Sequence, residues 1–260
     1  MNILQEIALA TQARITAQKM VLPEAALELE ALSLPRCSEH PFERALVGQD
    51  MAFICEIKRA SPSKGDIVDD FDYIKIAKEY EAAGANAISI LTEPNYFRGC
   101  DCYLREIALQ TTLPLLRKDF VIDSYMILQS KVLGASAILL ICSLLTKAKL
   151  KEFIAMADGL GLSTLVEVHN EREVDMALEV GARIIGINNR NLEDFTVDLS
   201  ISERLCKQIP SSAIVVSESG ISSADEVARL HRLGIAAVLV GESLMRCEDK
   251  IAALAMLRGG

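Results

Sequence analysis

The sequence predicts an α/β fold, a closed (β/α)8 TIM barrel with an N-terminal helical extension, and three observations predict it. First, four segments share one pattern: GANAISILTE from Gly84, GASAILLICS from Gly134, GARIIGINNR from Gly181 and GIAAVLVGES from Gly234. Each is a glycine, followed by alanine in three of them and by Ile-Ala in the fourth, and then a β-rich apolar run that ends in polar residues, and each follows a stretch of helical period. The glycine therefore reads as the stop of a helix that feeds a strand. Second, four more strand-like runs alternate with these: FICEIK (53–58), LPLLRKD (113–119), STLVEV (163–168) and AIVVSES (213–219). Third, the strand starts near 53, 87, 113, 137, 163, 184, 213 and 237 are separated by the length of a βα unit, and the strands are apolar on both faces, as parallel strands under crossover helices are.

In chain order, residues 1–20 place Gln5, Glu6, Gln12 and Arg14 among apolar residues at helical spacing and read as an amphipathic helix. Residues 1–50, which include Pro23, Pro35 and Pro41, are expected to cap the barrel as helical extensions, so that 1–260 forms one domain. Helical periods cover 72–83, 123–133, 171–180 and 222–233, each ahead of one of the four glycines. The alternative is an open doubly wound sheet, which calls for fewer strands and a glycine-rich fingerprint after the first. Here the first strand runs into EIKRASPSKG, with no GxGxxG.

Composition narrows the function. The 27 Lys and Arg against 36 Asp and Glu leave a formal charge of −9, and no run of five basic residues occurs, which argues against a nucleic-acid partner. The longest apolar or small stretch, 135–145, falls short of the roughly 20 residues that span a bilayer as a helix, so no membrane partner and a cytoplasmic location are expected. Seven cysteines without a CxxC pair, mostly inside apolar segments, suit reduced packing residues. His40, His169 and His231 have no ligand spacing to a Cys pair or to one another, so no metal site is expected.

In such a barrel the polar residues at the carboxyl ends of the strands converge on one mouth. That filter returns Glu56, Lys58 and Ser61 after the first strand, Lys118 and Asp119 after the third, and Glu167 and His169 after the fifth. It adds Asn188 and Arg190 after the sixth, Glu218 and Ser219 after the seventh, and Gly241 to Ser243 after the eighth. Glu56 and Lys58 are two apart and share a face. Charges directly after apolar runs need opposite charges nearby, and Lys–Glu sets in a dry cavity are suited to acid–base work. His169 follows its strand end and reads as a loop or supporting residue. The turns around Gly220 and Gly241 run straight into helices and, with Ser61 across the mouth, suit a phosphate held by backbone N–H groups, with the Glu242 carboxylate turned away.

Seven strings in this order, EIKRASPSKG (56–65), SILTEPNYFRG (89–99), LLRKDF (115–120), LVEVH (165–169), IGINNRNL (185–192), SESGI (217–221) and LVGESL (239–244), resemble the indole-3-glycerol-phosphate synthase family of tryptophan biosynthesis. The resemblance covers nearly the whole chain. It implies a carboxy-lyase that closes an indole ring on 1-(2-carboxyphenylamino)-1-deoxyribulose 5-phosphate, with loss of carbon dioxide and water, and without metal or organic cofactor. It implies Lys118 as the general acid at the ribulose carbonyl oxygen, and Lys58 beside the anthranilate carboxylate and as acid in the dehydration. Glu167 is implied as the general base, with Glu56 and Glu218 holding the lysines. Asn188, Arg190 and Ser219 are implied to make polar contacts. Phosphate contacts fall on Ser61, Gly220, Gly241 and Glu242, while Phe120 and Leu192 wall the aromatic ring. The small phosphorylated substrate is the expected partner, and a monomer is expected.

The chain departs from the family in Cys100-Asp101-Cys102, where a Ser is usual, and in Thr11 and Gln12, where a Lys is common. Two other readings compete. A phosphorylated aminoketose isomerase would need an Asp or Cys acid–base pair at the first and seventh strand ends; a non-catalytic phosphometabolite-binding barrel would bind without turnover.

Overall fold

Eight parallel strands close on themselves in the computed structural model, which describes residues 3–62, 64–68, 70–191 and 194–259. Three helices come first: α1 (Ile3–Val21), α2 (Glu24–Ser33) and α3 (Pro41–Leu46). Then follow β1 (Ala52–Ile57), a two-stranded hairpin β2 (Ala60–Ser61) and β3 (Gly65–Asp66), α4 (Tyr73–Ala82), β4 (Ala87–Leu91), α5 (Asp101–Ala108), β5 (Leu115–Lys118), α6 (Ser124–Val132), β6 (Ala137–Ile141) and α7 (Lys147–Gly159). The chain continues with β7 (Ser163–Val168), α8 (Glu171–Glu179), β8 (Ile184–Asn188), α9 (Ser200–Leu205), β9 (Ile214–Glu218), α10 (Ala224–Arg232), β10 (Ala237–Val240), α11 (Glu242–Arg246) and α12 (Lys250–Arg258). The barrel order is β1-β10-β9-β8-β7-β6-β5-β4, and β4 returns to β1 with Ile54 beside Ala87 and Glu56 beside Ser89. The hairpin, with Ser61 opposite Gly65, was not predicted and folds the EIKRASPSKG loop back on itself.

Strand alternation sorts the core into two clusters. Phe53, Cys55, Ile88, Ile90, Ile138, Leu140, Val166, Ile185, Val238 and Val240 point outward and pack under the helices. Ala52, Ile54, Leu116, Ala137, Leu139, Leu165, Ile184, Val216, Ala237 and Leu239 point inward and fill the barrel. The next inward positions are Glu56, Lys118, Glu167, Asn188, Glu218 and Gly241, so the apolar filling stops where the polar mouth begins.

The extension caps both ends of the barrel. Phe42 and Leu46 of α3 join the inner cluster, and Glu43 accepts from Ser163 Oγ and Arg183 at the starts of β7 and β8. At the other end Leu4 and Ile7 of α1 pack with Phe120, Leu139 and Leu239. Arg14 makes two hydrogen bonds to Asp119, at 2.9 and 3.0 Å, and Lys19 pairs with Asp123, so α1 is fastened beside the mouth. Among the described residues no helix is long and apolar enough to cross a membrane. One expectation is corrected: Cys100 and Cys102 are joined by a disulfide at the start of α5, whereas Cys37, Cys55, Cys142, Cys206 and Cys247 are free thiols. The CxC spacing brings the two Cα atoms to 5.1 Å, within disulfide reach although no CxxC is present.

Candidate active site

The barrel mouth opens into a cavity of about 370 Å³, within the usual range of small-molecule sites. Its lining includes Glu56, Lys58, Lys118, Phe120, Glu167, Asn188, Arg190, Glu218, Ser219, Gly220, Gly241 and Glu242. Ser61 is not part of that lining; it sits in the hairpin paired with Gly65. Leu192 lies outside the described residues. The cavity also takes in Phe97, which the sequence reading did not single out; its ring centroid is 6.0 Å from that of Phe120, and together they form an aromatic wall. The loop that carries Phe97 is organised by Glu93, which is buried and accepts hydrogen bonds from the backbone N–H groups of Asn95, Tyr96 and Phe97.

Charges alternate around the mouth. Lys58 Nζ donates to Glu56 Oε1 at 2.6 Å. Lys118 Nζ lies 3.5 Å from both Glu167 Oε2 and Glu218 Oε2. Asn188 fixes the neighbouring turns: its Oδ1 accepts from the Arg190 backbone N–H at 3.0 Å and from Ser219 Oγ at 2.9 Å, and its amide reaches Glu167. Asn189, fully buried, donates to Ser217 Oγ and to the carbonyls of Glu218 and Ser219. That stitching holds Ser219 in the left-handed region, with φ of 68°. Glu242 accepts from Arg246 Nε at 3.1 Å, and both residues line the cavity.

Ionisation follows from burial and partners. Burial works to lower Lys118, but Glu218, Glu167 and Glu56 around it raise its pKa above the ordinary lysine value, so it stays an ammonium. Burial works to raise Glu56, yet Lys58 and Lys118 bring it below the usual carboxylate range. Burial likewise opposes ionisation of Glu167, and Lys118, His169 and Asn188 overcome it. Glu218 is the exception. Burial and the nearby Glu167 and Glu56 raise it despite Lys118, and its Oε1 is buried without a hydrogen-bond partner. Similar carboxylates on one cavity wall thus have affinities for protons pushed in opposite directions.

Two glycines make this packing possible. A Cβ on Gly186, inside β8, would overlap Glu218 Oε1, and one on Gly241 would lie 2.5 Å from Glu56 Oε1 and 3.1 Å from Lys58 Nζ. Gly241 therefore clears space for the Glu56–Lys58 pair as well as opening the turn into α11. Gly186 was not singled out from the sequence, although a lone glycine in the β-rich IIGIN run is the signal for such a close approach.

Comparison with known proteins accords with this geometry. The family model for indole-3-glycerol phosphate synthase matches residues 4–257. The indole-3-glycerol phosphate synthase of Ruminiclostridium cellulolyticum is 51% identical over 257 residues, covering 99% of each chain. That of Leuconostoc mesenteroides is 46% identical, also covering 99% of each. Among solved structures, a chain from the tryptophan synthase a2b2 complex of Pyrococcus furiosus superposes with a TM-score of 0.60 at 15% identity, covering 81% of this chain and 99% of its own, and so shares the barrel fold. With a family model spanning almost its whole length and full-length relatives at about half identity, the chain belongs to the indole-3-glycerol phosphate synthase family.

Proposed function

We propose that the chain closes the indole ring of 1-(2-carboxyphenylamino)-1-deoxyribulose 5-phosphate, and that the mouth of the barrel is its active site. The observation that carries the reading is the position of Lys118, a partly buried ammonium at the cavity wall, 3.5 Å from each of two carboxylates that differ in proton affinity. Phe97 and Phe120 suit the aromatic ring, while the turns at Gly220 and Gly241 suit the phosphate.

The reaction is balanced by this set of groups. The ring carbon that bears the carboxylate attacks the ribulose carbonyl, and Lys118 gives its proton to the oxygen as the new carbon–carbon bond forms. An alkoxide is more basic than any amine, so a lysine of raised pKa still transfers its proton to it. The carboxylate leaves as carbon dioxide, and its bonding electrons restore the aromatic ring. Lys58 then protonates the hydroxyl, which departs as water, and Glu167 removes the proton from the carbon joined to nitrogen. Two protons are given and one is recovered. Glu167 can return its proton to Lys118 directly across 3.5 Å, whereas Lys58, whose partner Glu56 takes up no proton in the cycle, is recharged from solvent. One proton is therefore consumed per turnover, which equals the proton taken up when a carboxylate substrate leaves carbon dioxide behind.

The test is to mix the protein with this substrate in the presence of a chelator and follow indole fluorescence. Product is expected. Tight substrate binding without product would establish the non-catalytic barrel instead. A second expectation follows from β8: Gly186→Ala, by displacing the Glu218 carboxylate, should lower kcat by about 10²-fold while the protein stays folded, because misplacement by about an ångström costs that much. Steady-state kinetics beside a melting curve reads both quantities.

A further inference from the structure

His169 stands behind Glu167, off the cavity wall, and the reaction described above does not use it. It follows β7, and its Nε2 faces Glu167 Oε1 at 3.3 Å, whereas Lys118 faces the other oxygen, Oε2, at 3.5 Å. On the other edge of the ring, Nδ1 is 3.1 Å from Glu173 Oε2 of α8. Glu173 is itself pinned, accepting the His169 backbone N–H at 2.8 Å and Asn170 Nδ2 at 2.8 Å. The imidazole thus has a carboxylate oxygen near each nitrogen, hydrogen-bonded at Nδ1 and in ion-pair contact only at Nε2. A neutral ring carries a lone pair on one nitrogen and would set it against a carboxylate; the imidazolium donates to Glu173 from Nδ1 and turns its positive charge, without a hydrogen bond, toward Glu167 at Nε2.

The remaining surroundings agree. Beyond Glu167 lie Lys118 of β5 and Glu218 of β9. From the turn after β6, the Cys142 thiol approaches the Glu173 carbonyl, and burial with the Glu173 and Glu167 charges pushes it up to about 12, so it stays neutral. Burial alone would lower His169, but the Glu167 and Glu173 carboxylates beside it push it up to about 10.

Resting on the functional reading above, we propose that His169 is a positioning residue: a fixed cation that holds one oxygen of Glu167 and keeps that carboxylate ionised while the other oxygen faces Lys118 and the cavity. The chemistry shows why a second cation is needed. Lys118 loses its charge when it protonates the ribulose oxygen, at a stage when Glu167 has yet to act as base. With only a neutral amine beside it in a buried site, Glu167 would gain affinity for a proton before its step arrives. His169 transfers no proton in the cycle, so its charge persists throughout.

The experiment compares wild type, His169→Gln and Glu173→Gln by kcat, KM and their pH profiles, together with NMR titration of the imidazole. In wild type the imidazole should titrate near 10, and at a lower pH in Glu173→Gln. Removing the cation raises the Glu167 pKa, and a base works only when deprotonated, so the acidic limb of kcat should move to higher pH in both variants, further in His169→Gln. That variant should lose about tenfold or more in kcat at neutral pH with KM little changed. Glu173→Gln leaves the imidazole in place and serves if His169→Gln folds poorly. An active wild type with an unmoved acidic limb in both variants, or an imidazole that titrates near 6.5, overturns this role alone. A wild type that makes no indole product overturns the functional reading, and this role with it.

Discussion

Lys118→Ala should lower kcat by about 10⁴-fold, with only a modest change in substrate affinity. Two losses combine. The alkoxide that forms as the ring closes loses both its proton donor and its preorganised cation, effects worth roughly 10²-fold or more each in water-poor sites. In addition, Glu167 and Glu218 lose the ammonium at 3.5 Å that offsets their burial, so Glu167 becomes harder to ionise. Lys118→Arg separates the two. Arginine keeps the positive charge and should leave both carboxylates compensated, but it gives up no proton at any working pH, so turnover should remain low. Rapid-mixing fluorescence gives kcat, and titration with the substrate under non-turnover conditions gives affinity. A near-normal kcat in Lys118→Ala would sink the assignment of the acid.

Glu167→Gln should divide the reaction in two. The base acts after the carboxylate has left, so the variant should release carbon dioxide in the first turnover while indole appears about 10²- to 10⁴-fold more slowly, the range for loss of a positioned base. Measuring carbon dioxide and indole fluorescence in the same rapid-mixing experiment tests the order. If both fall in parallel, Glu167 is acting before or during decarboxylation. The substitution keeps the hydrogen-bonding shape but removes the charge facing Lys118 and His169, so a variant with wild-type melting temperature but slow indole release isolates the chemical role.

Much of this site is legible in the sequence because period-2 alternation does two tasks at once. It makes each strand apolar inside and out, and the inward residue at which apolar character stops is the one that reaches the mouth: Lys118 after Leu116, Glu167 after Leu165, Glu218 after Val216. What escapes the reading depends on partners far along the chain or on short local folds. Arg117, beside Lys118 in LLRKDF, is turned outward by its odd-numbered place and is fully buried against Asp101, Asp119 and Thr92, a network no strand-end pattern announces. The β2–β3 hairpin consists of strands of two residues each, too short to show a period, and it leaves Ser61 off the cavity wall. His169 reads from the sequence as a loop or supporting residue, and what the strand-end filter does not reach is its second partner, Glu173 in the first turn of α8.

The fastening of α1 bears on how the chain assembles. Arg14 and Lys19 emerge well before their partners Asp119 and Asp123, which are 105 and 104 residues further on. The first helix therefore has nothing to dock on until β5 and the start of α6 have been made. Sheet closure is later still, because β1 must wait for β10, the last strand. A nascent chain arrested before residue 119 should leave its N-terminal segment open to proteolysis, while arrest after β6 has left the ribosome should protect it. The residues that come first would then be among the last to settle, since long-range closures such as these are slow steps of folding.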